Sequence, residues 1–314
     1  MQIELGQTGV KVSRLCFGSL TIGPLQAGLP LEEGAALLRL AFESGVNFVD
    51  TAQIYGTYPY IRKALQGYSG DVVIASKSYA YTASAMAEAL EEARRDLDRD
   101  RVEIFLLHEQ ESEHTLRGHW EAFEYLLEAK AKGWVKAVGL STHSVAGVRA
   151  ALAVPEIDII HPLVNMAGIG ILDGTVEEML AAIQEARQRG KGIYAMKVLG
   201  GGNLYGQAQA AMRWALGQPH IQAIAVGMQS PKELALNLQL FSGNDGDGET
   251  WAQVQKRERR LHIEDWCQGC GKCIPACPQK ALHLLGPQVY VEKGRCVLCG
   301  YCSRMCRDFC IKVV

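Results

Sequence analysis

Aromatic residues are scarce in this chain of 314 residues, at 7%. That is too few for a stacking platform that grips single-stranded nucleic acid. An excess of charge is missing too: 32 Lys and Arg stand against 34 Asp and Glu, for a net charge of −2. Such a balance offers no hold on nucleic-acid phosphates or on an anionic membrane. No apolar run reaches the ~18 residues that a membrane span needs. The opening Met1-Gln2-Ile3-Glu4 lacks the basic-then-apolar plan of a secretory signal, so the expectation is a cytoplasmic protein. What is present, 48% hydrophobic and 21% charged residues, is globular usage.

Cysteine is almost absent from most of the chain and dense at its end. Of 10 Cys, all but Cys16 lie between Cys267 and Cys310. A disulfide scaffold would spread them through the chain, whereas clustering at two-residue spacings points to metal ligation in a reducing compartment. The expected organisation is a Cys-poor domain over 1–241, a linker over 242–262 and a Cys-dense domain over 263–314.

The long part alternates short apolar runs with longer amphipathic ones. Candidate strands are 15–18, 47–50, 72–76, 103–107, 135–140, 158–161, 192–196 and 221–226. Helical patterns follow at 31–44, 59–66, 84–96, 116–132, 144–153, 175–189, 207–216 and 231–240. Met86, Ala89, Leu90, Ala93 and Leu97 share one helical face. Gly45, Gly133 and Gly190 sit where left-handed helix caps are wanted. Eight strand–helix units in ~240 residues match a (β/α)8 TIM barrel. A doubly wound sheet would carry a Gly-rich turn after its first strand, but here that strand ends Phe17-Gly18-Ser19-Leu20. Residues 3–12 read as a β-hairpin able to plug the barrel's bottom.

Residues 242–248 are turn-rich, and 249–261 are charged and helix-compatible. The basic run 256–260 is interrupted by Glu258, which suits a solvated face. A helix over 249–261 would carry the chain back up the barrel wall, to deliver the last domain to the side or rim of the mouth.

In the tail, Cys267, Cys270, Cys273 and Cys277, the last followed by Pro278, form a bacterial-ferredoxin run. Cys296, Cys299, Cys302 and Cys306 repeat it at a constant offset of 29 residues (296 − 267 and 306 − 277). In such runs the fourth Cys ligates the other cluster. The expected content is therefore two [4Fe–4S] clusters in a small α+β ferredoxin-like domain. One is held by Cys267, Cys270, Cys273 and Cys306, the other by Cys296, Cys299, Cys302 and Cys277. Residues 281–284 and 288–291 read as short strands. Paired zinc knuckles are the competing reading. Cys310 and Cys16 read as core fillers.

Asp50, Lys77 and His108 end or follow the second, third and fourth candidate strands, and Tyr55 follows Asp50 closely. In a barrel the C-terminal strand ends share one mouth, where catalytic groups sit. A Tyr with a pKa near ~10 is a poor acid. A nearby Lys⁺ is expected to lower that pKa, with Asp positioning the Lys and His donating to a substrate oxygen.

With these residues in view, the chain resembles the aldo/keto reductase family, and within it the subgroup that carries a ferredoxin-like tail. Asp50, Tyr55, Lys77 and His108 fall on the family's catalytic tetrad. The opening Leu5-Gly6-x2-Gly9-x-Lys11-Val12-Ser13 is similar to the family's start. The resemblance implies NAD(P)H held by Ser141, Thr142, Asn165, Met196, Gly227, Met228, Gln229, Lys232 and Asn237. Thr142, His161 and Met196 depart from the family's usual Asn, Gln and Tyr. Glu233 would repel the 2′-phosphate of NADPH, with Lys232 as compensation, so the resemblance does not settle NADPH over NADH.

Gly200, Gly201 and Gly202 suit either a phosphate-binding turn or a flexible one. The implied function is reduction of an aldehyde or ketone, or its reverse, on a small carbonyl or alcohol substrate. An electron-transfer protein with a redox protein partner, or a ferredoxin-fed reductase without nicotinamide, stay open as alternatives.

Overall fold

The computed structural model describes residues 2–246, 248–255 and 258–314. Lys256 and Arg257 of the basic run lie outside the described residues. Two strands precede the main sheet, β1 (Gln2–Glu4) and β2 (Lys11–Ser13). Eight parallel strands then close a barrel: β3 (Leu15–Gly18), β4 (Phe48–Asp50), β5 (Val73–Ser78), β6 (Ile104–Leu107), β7 (Ala137–Thr142), β8 (Ile159–Pro162), β9 (Gly192–Ala195) and β10 (Ala223–Gly227). The helices are α1 (Leu31–Glu43), α2 (Tyr58–Leu65), α3 (Ala83–Leu97), α4 (Glu113–Gly118), α5 (Trp120–Ala131), α6 (Val145–Leu152), α7 (Val176–Gln188), α8 (Ala208–Leu216), α9 (Pro231–Phe241) and α10 (Gly248–Gln255). Every barrel strand falls where apolar runs were expected, shifted at its ends by two residues at most.

Local chemistry explains the boundaries. Thr175 caps α7 by accepting from the Glu178 N–H, and the Glu178 carboxylate in turn accepts from the Thr175 N–H. This is a capping box. Gly45, Gly133 and Gly190 have φ of 90°, 77° and 80°, as left-handed caps require. The expected helix 116–132 is two helices that meet at His119. The Ser112–Thr115 capping box starts α4 early, and Gly118, a weak helix former, allows the break.

The hairpin β1–β2 closes the barrel's bottom. Its Leu5, Val10 and Val12 are buried in one cluster with Phe48, Leu106, Ile159 and Tyr194 from the barrel interior. Gly6 is required there, because a Cβ would lie 2.5 Å from the Gly192 nitrogen.

The chain returns to the mouth as expected, by a shorter route. Helix α10 spans 248–255, not 249–261. Lys232, at the mouth-side start of α9, donates to Gln253 Oε1 at 2.7 Å, so α10 runs back up along α9. The helix gives way because residues 261–263 are claimed by a sheet: β11 (Leu261–Ile263) pairs antiparallel with β14 (Ile311–Val313). A second pair joins β12 (Leu282–Leu285) to β13 (Gln288–Val291).

The duplication in the tail extends to its backbone. Left-handed φ values recur 29 residues apart at Gly269 and Leu298, Gly271 and Gly300, and Lys280 and Phe309. The Cys277 Sγ accepts from the Ala281 N–H at 3.3 Å, and Cys306 Sγ accepts from Cys310 N–H at 3.2 Å. Cys310 is therefore the counterpart of Ala281, and both are buried.

Candidate active site

Asp50 ends β4, Lys77 lies in β5, and His108 follows β6, so the barrel brings all three to one mouth. Tyr55 reaches it from a short 3-10 turn, Gln53–Tyr55, and is half-buried. Lys77 is 1% exposed. Its ammonium donates to both Asp50 oxygens at 2.8 Å and to the Thr51 carbonyl at 2.7 Å, which uses all three of its hydrogens. The same ammonium stands 5.1 Å from the centre of the Tyr55 ring. Tyr55 and His108 meet edge to face at 5.8 Å.

The expected lowering of the Tyr55 pKa by Lys77 is outweighed. Burial, then Asp50, then Glu109 push the Tyr55 pKa well above its ordinary value. Because Asp50 neutralises Lys77, no free positive charge is left to favour the phenolate. Tyr55 therefore keeps its proton at neutral pH. His108 is held neutral, its pKa lowered by burial and by the positive charges of Lys77 and Lys197. Its Nδ1 is buried with no hydrogen-bond partner among the described residues.

Several contributors escaped the sequence reading, and His161, noted there only as a departure at the cofactor site, takes another role. Tyr194 donates to Asp50 Oδ2 at 3.0 Å, and His161 stacks on Tyr194 with ring centres 3.8 Å apart. Tyr79 stacks on His108 at 4.2 Å and donates to Glu109 at 2.6 Å. Glu109 stands 3.4 Å from His143 Nε2. Lys197 donates to His143 Nε2 at 2.8 Å. Glu109 and Lys197 are non-glycine residues with φ of 52° and 58°, and left-handed strain of this kind clusters at functional sites.

The residues expected to hold NAD(P)H are largely engaged within the chain. Ser141 Oγ accepts from the Glu109 N–H. Thr142 Oγ1 accepts from the Ser144 N–H. Asn165 binds its own loop with both ends of its amide. The Gln229 N–H donates to Glu233, and Asn237 donates to the Glu233 carbonyl. Met228 is buried, while Gly227 is exposed. Met196 is 8% exposed and packs with Leu163, Ile169, Leu204 and Phe309. Phe309 belongs to the Cys-dense tail, which is thus seated on the mouth.

The tail contains two cysteine-lined cavities, both open to solvent. Cys277, Cys296, Cys299 and Cys302 line one. Cys267, Cys270, Cys273 and Cys306 line the other, with Cys310 as a fifth wall. None of the ten cysteines is paired in a disulfide. Among the described residues, no three His, Cys, Asp or Glu side chains converge as a single metal ion would need. Thiols spread around a cavity suit a polynuclear guest better than a lone zinc ion, whose Zn–S bonds of about 2.3 Å demand close convergence. Cys16 is buried inside the barrel.

Comparison with known proteins agrees with this construction. The aldo/keto reductase family model matches residues 14–208, and a 4Fe-4S binding domain model matches 261–283. L-galactose dehydrogenase of Arabidopsis thaliana is 24% identical over 236 residues, 70% of this chain and 71% of that protein. Pyridoxine 4-dehydrogenase of Escherichia coli is 30% identical over 176 residues, 50% of this chain and 62% of that protein. A Pseudomonas aeruginosa crystal structure assigned to the aldo-keto reductases superposes with a TM-score of 0.67 at 27% identity, covering 77% of this chain and 95% of that one. Among the described residues, no helix is long and apolar enough to cross a membrane. The chain belongs to the aldo/keto reductase family of oxidoreductases and carries a 4Fe–4S-binding domain in its C-terminal region.

Proposed function

We propose that the barrel, over 1–241, interconverts a small aldehyde or ketone and its alcohol at Asp50, Tyr55, Lys77 and His108. The linker 242–262 then leads to a domain, 263–314, that holds two [4Fe–4S] clusters. Cys267, Cys270, Cys273 and Cys306 would hold one, and Cys277, Cys296, Cys299 and Cys302 the other. The two cavities lined by these sets support this assignment. When bound, such clusters supply one-electron transfer.

Reduction of a carbonyl consumes two electrons and two protons and leaves an alcohol. The chain's own contribution is the proton side. Tyr55, kept protonated by burial and by Asp50, gives its hydroxyl proton to the developing alkoxide. His108, neutral and stacked on Tyr79, steers the carbonyl oxygen. The Asp50–Lys77 pair, braced by Tyr194, fixes the floor on which Tyr55 stands.

The single observation that carries the reading is this convergence of a protonated phenol, a neutral imidazole and a buried ion pair at one mouth. A second reading concerns the electrons. The family resemblance implies hydride from NAD(P)H, whereas the seating of the Cys-dense domain on the same mouth favours single electrons delivered through that domain.

The test is anaerobic turnover of aldehydes and ketones by the iron-loaded chain, with NADPH or a reduced viologen as donor. Tyr55→Phe is expected to lower the rate roughly 10²–10⁴-fold, the loss typical of a missing general acid. Unimpaired turnover in Tyr55→Phe would overturn the tetrad assignment.

A further inference from the structure

We propose that the C-terminal domain fills the groove in which a nicotinamide dinucleotide would lie, so that the docked chain excludes NAD(P)H. The inference deepens the function proposed above by removing one of its two electron sources, and it rests on the docking geometry.

Three stretches of the expected cofactor track are covered by the chain's own C-terminal part. At Met196, where the family resemblance puts the nicotinamide, Phe309 is 2% exposed and shares one buried cluster with that methionine. The His143 ring meets it edge-on at 5.8 Å, and the Lys197 ammonium stands 4.8 Å over its face. In the middle, the Val313 N–H donates to the Gly201 carbonyl at 2.9 Å, and Asn203 donates to the Ile311 carbonyl at 3.2 Å. At the far end, Lys232 is tied to Gln253 at 2.7 Å, and Arg259 reaches Glu233 at 3.4 Å.

The barrel's glycines are shaped to this guest. A Cβ on Gly170 would lie 2.6 Å from the Phe309 ring. One on Gly201 would lie 2.9 Å from that ring, and one on Gly202 would lie 2.0 Å from the Val313 carbonyl oxygen. All three have left-handed φ, 89°, 64° and 84°, a conformation that glycine alone adopts without cost. The glycine run that suited a phosphate on sequence grounds is thus explained by a strand of the same chain. Lys232, the one compensation expected for a 2′-phosphate, already has a partner.

A dinucleotide and the docked domain would need the same space, so binding of one must exclude the other. The experiment is an anaerobic titration of the iron-loaded chain with NADPH and with NADH, followed by nicotinamide fluorescence and calorimetry. Hydrogen exchange at the Val313 amide is measured alongside. The expected result is no saturable binding up to millimolar dinucleotide, with the Val313 amide protected. Phe309→Ala should open the nicotinamide end and raise affinity at least tenfold, with faster exchange at Val313. Should Phe309→Ala lose iron, Asn203→Ala serves instead: it changes only the barrel side, removes the bond to the Ile311 carbonyl and adds nothing to the groove.

Micromolar binding to the unaltered chain with Val313 still protected would overturn the proposal. So would an iron-loaded, undocked variant that binds no better than the parent. Neither outcome bears on Tyr55→Phe, whose readout is turnover, so failure here and failure of the carbonyl assignment are distinguishable.

Discussion

The barrel and the tail are stabilised by different means. The barrel's strands and helices share one continuous apolar cluster, from Leu15 and Phe17 through Phe105 and Phe123 to Leu240, and a second cluster fills its interior. The tail has a handful of buried side chains, Leu261, Leu282, Val289, Ile311 and Val313 among them, interleaved with cysteines. It leaves Trp266, Leu285, Val297 and Tyr301 more than half exposed. A unit of about 50 residues with so small a core needs staples, and metal is one of the few that nature uses. Burial of apolar surface accounts for the barrel, whereas on the proposed assignment the tail owes its order to the clusters in its two cavities and to the mouth it rests on.

This contrast can be broken most forcefully at the clusters. Cys273→Ala should lower iron from about eight to about four atoms per chain, and it should release hydrogen-exchange protection across 258–314. The barrel's protection should persist, because metal binding and folding are coupled only where the metal is the core. A tail that stays protected without iron would show that docking alone orders it.

In the barrel, the most sensitive point is the buried pair. Lys77→Met leaves the Asp50 carboxylate without its cation, and breaking a buried pair in this way costs about 3–5 kcal/mol. Denaturant unfolding followed by a barrel probe measures it, and a loss under 1 kcal/mol would show that Tyr194 alone satisfies Asp50.

Acid should act next. Burial lowers the His161 pKa from 6.5 to about 4, and His108 and His143 move in the same direction. The unfolded chain therefore takes up protons first. This contribution is complete above pH 6.5 and is lost as pH falls toward 4, by about 3 kcal/mol for His161 alone. Barrel stability measured across that window should slope downward, and a flat profile would contradict the burial of these rings.

The smallest expected effect is at a helix end. Thr175→Ala removes the cap on the Glu178 N–H and should cost about 1 kcal/mol. Thermal unfolding of the barrel should register it, while iron content stays unchanged.

Much of the architecture was legible because it rests on local chemistry. Strand β3 coincides with the expected run, and α3 extends the expected helix by one residue at each end. Gly45, Gly133 and Gly190 cap as their type demands. Helix α10 was overextended because charge and propensity favour a helix through 261, and nothing local reveals that β14, fifty residues on, claims Leu261 as a partner. Tyr79, Tyr194 and His161 were missed as supports of the tetrad for the same reason: each acts through a contact between strands or loops distant in sequence. Gly200, Gly201 and Gly202 were recognised as unusual, but their use depends on a strand more than a hundred residues away.

The sequence by itself determined the period of eight strand–helix units, the positions of Asp50, Tyr55, Lys77 and His108 at strand ends, and the repeat of four cysteines at an offset of 29 residues. Each of these is encoded in spacing, and spacing survives without any tertiary contact. Tertiary structure alone decided the protonation of Tyr55, because that depends on which neighbour neutralises Lys77. It also decided the burial of Phe309 in one cluster with Met196. Those outcomes belong to surfaces that meet only after both parts have folded, where burial and shape choose the partner.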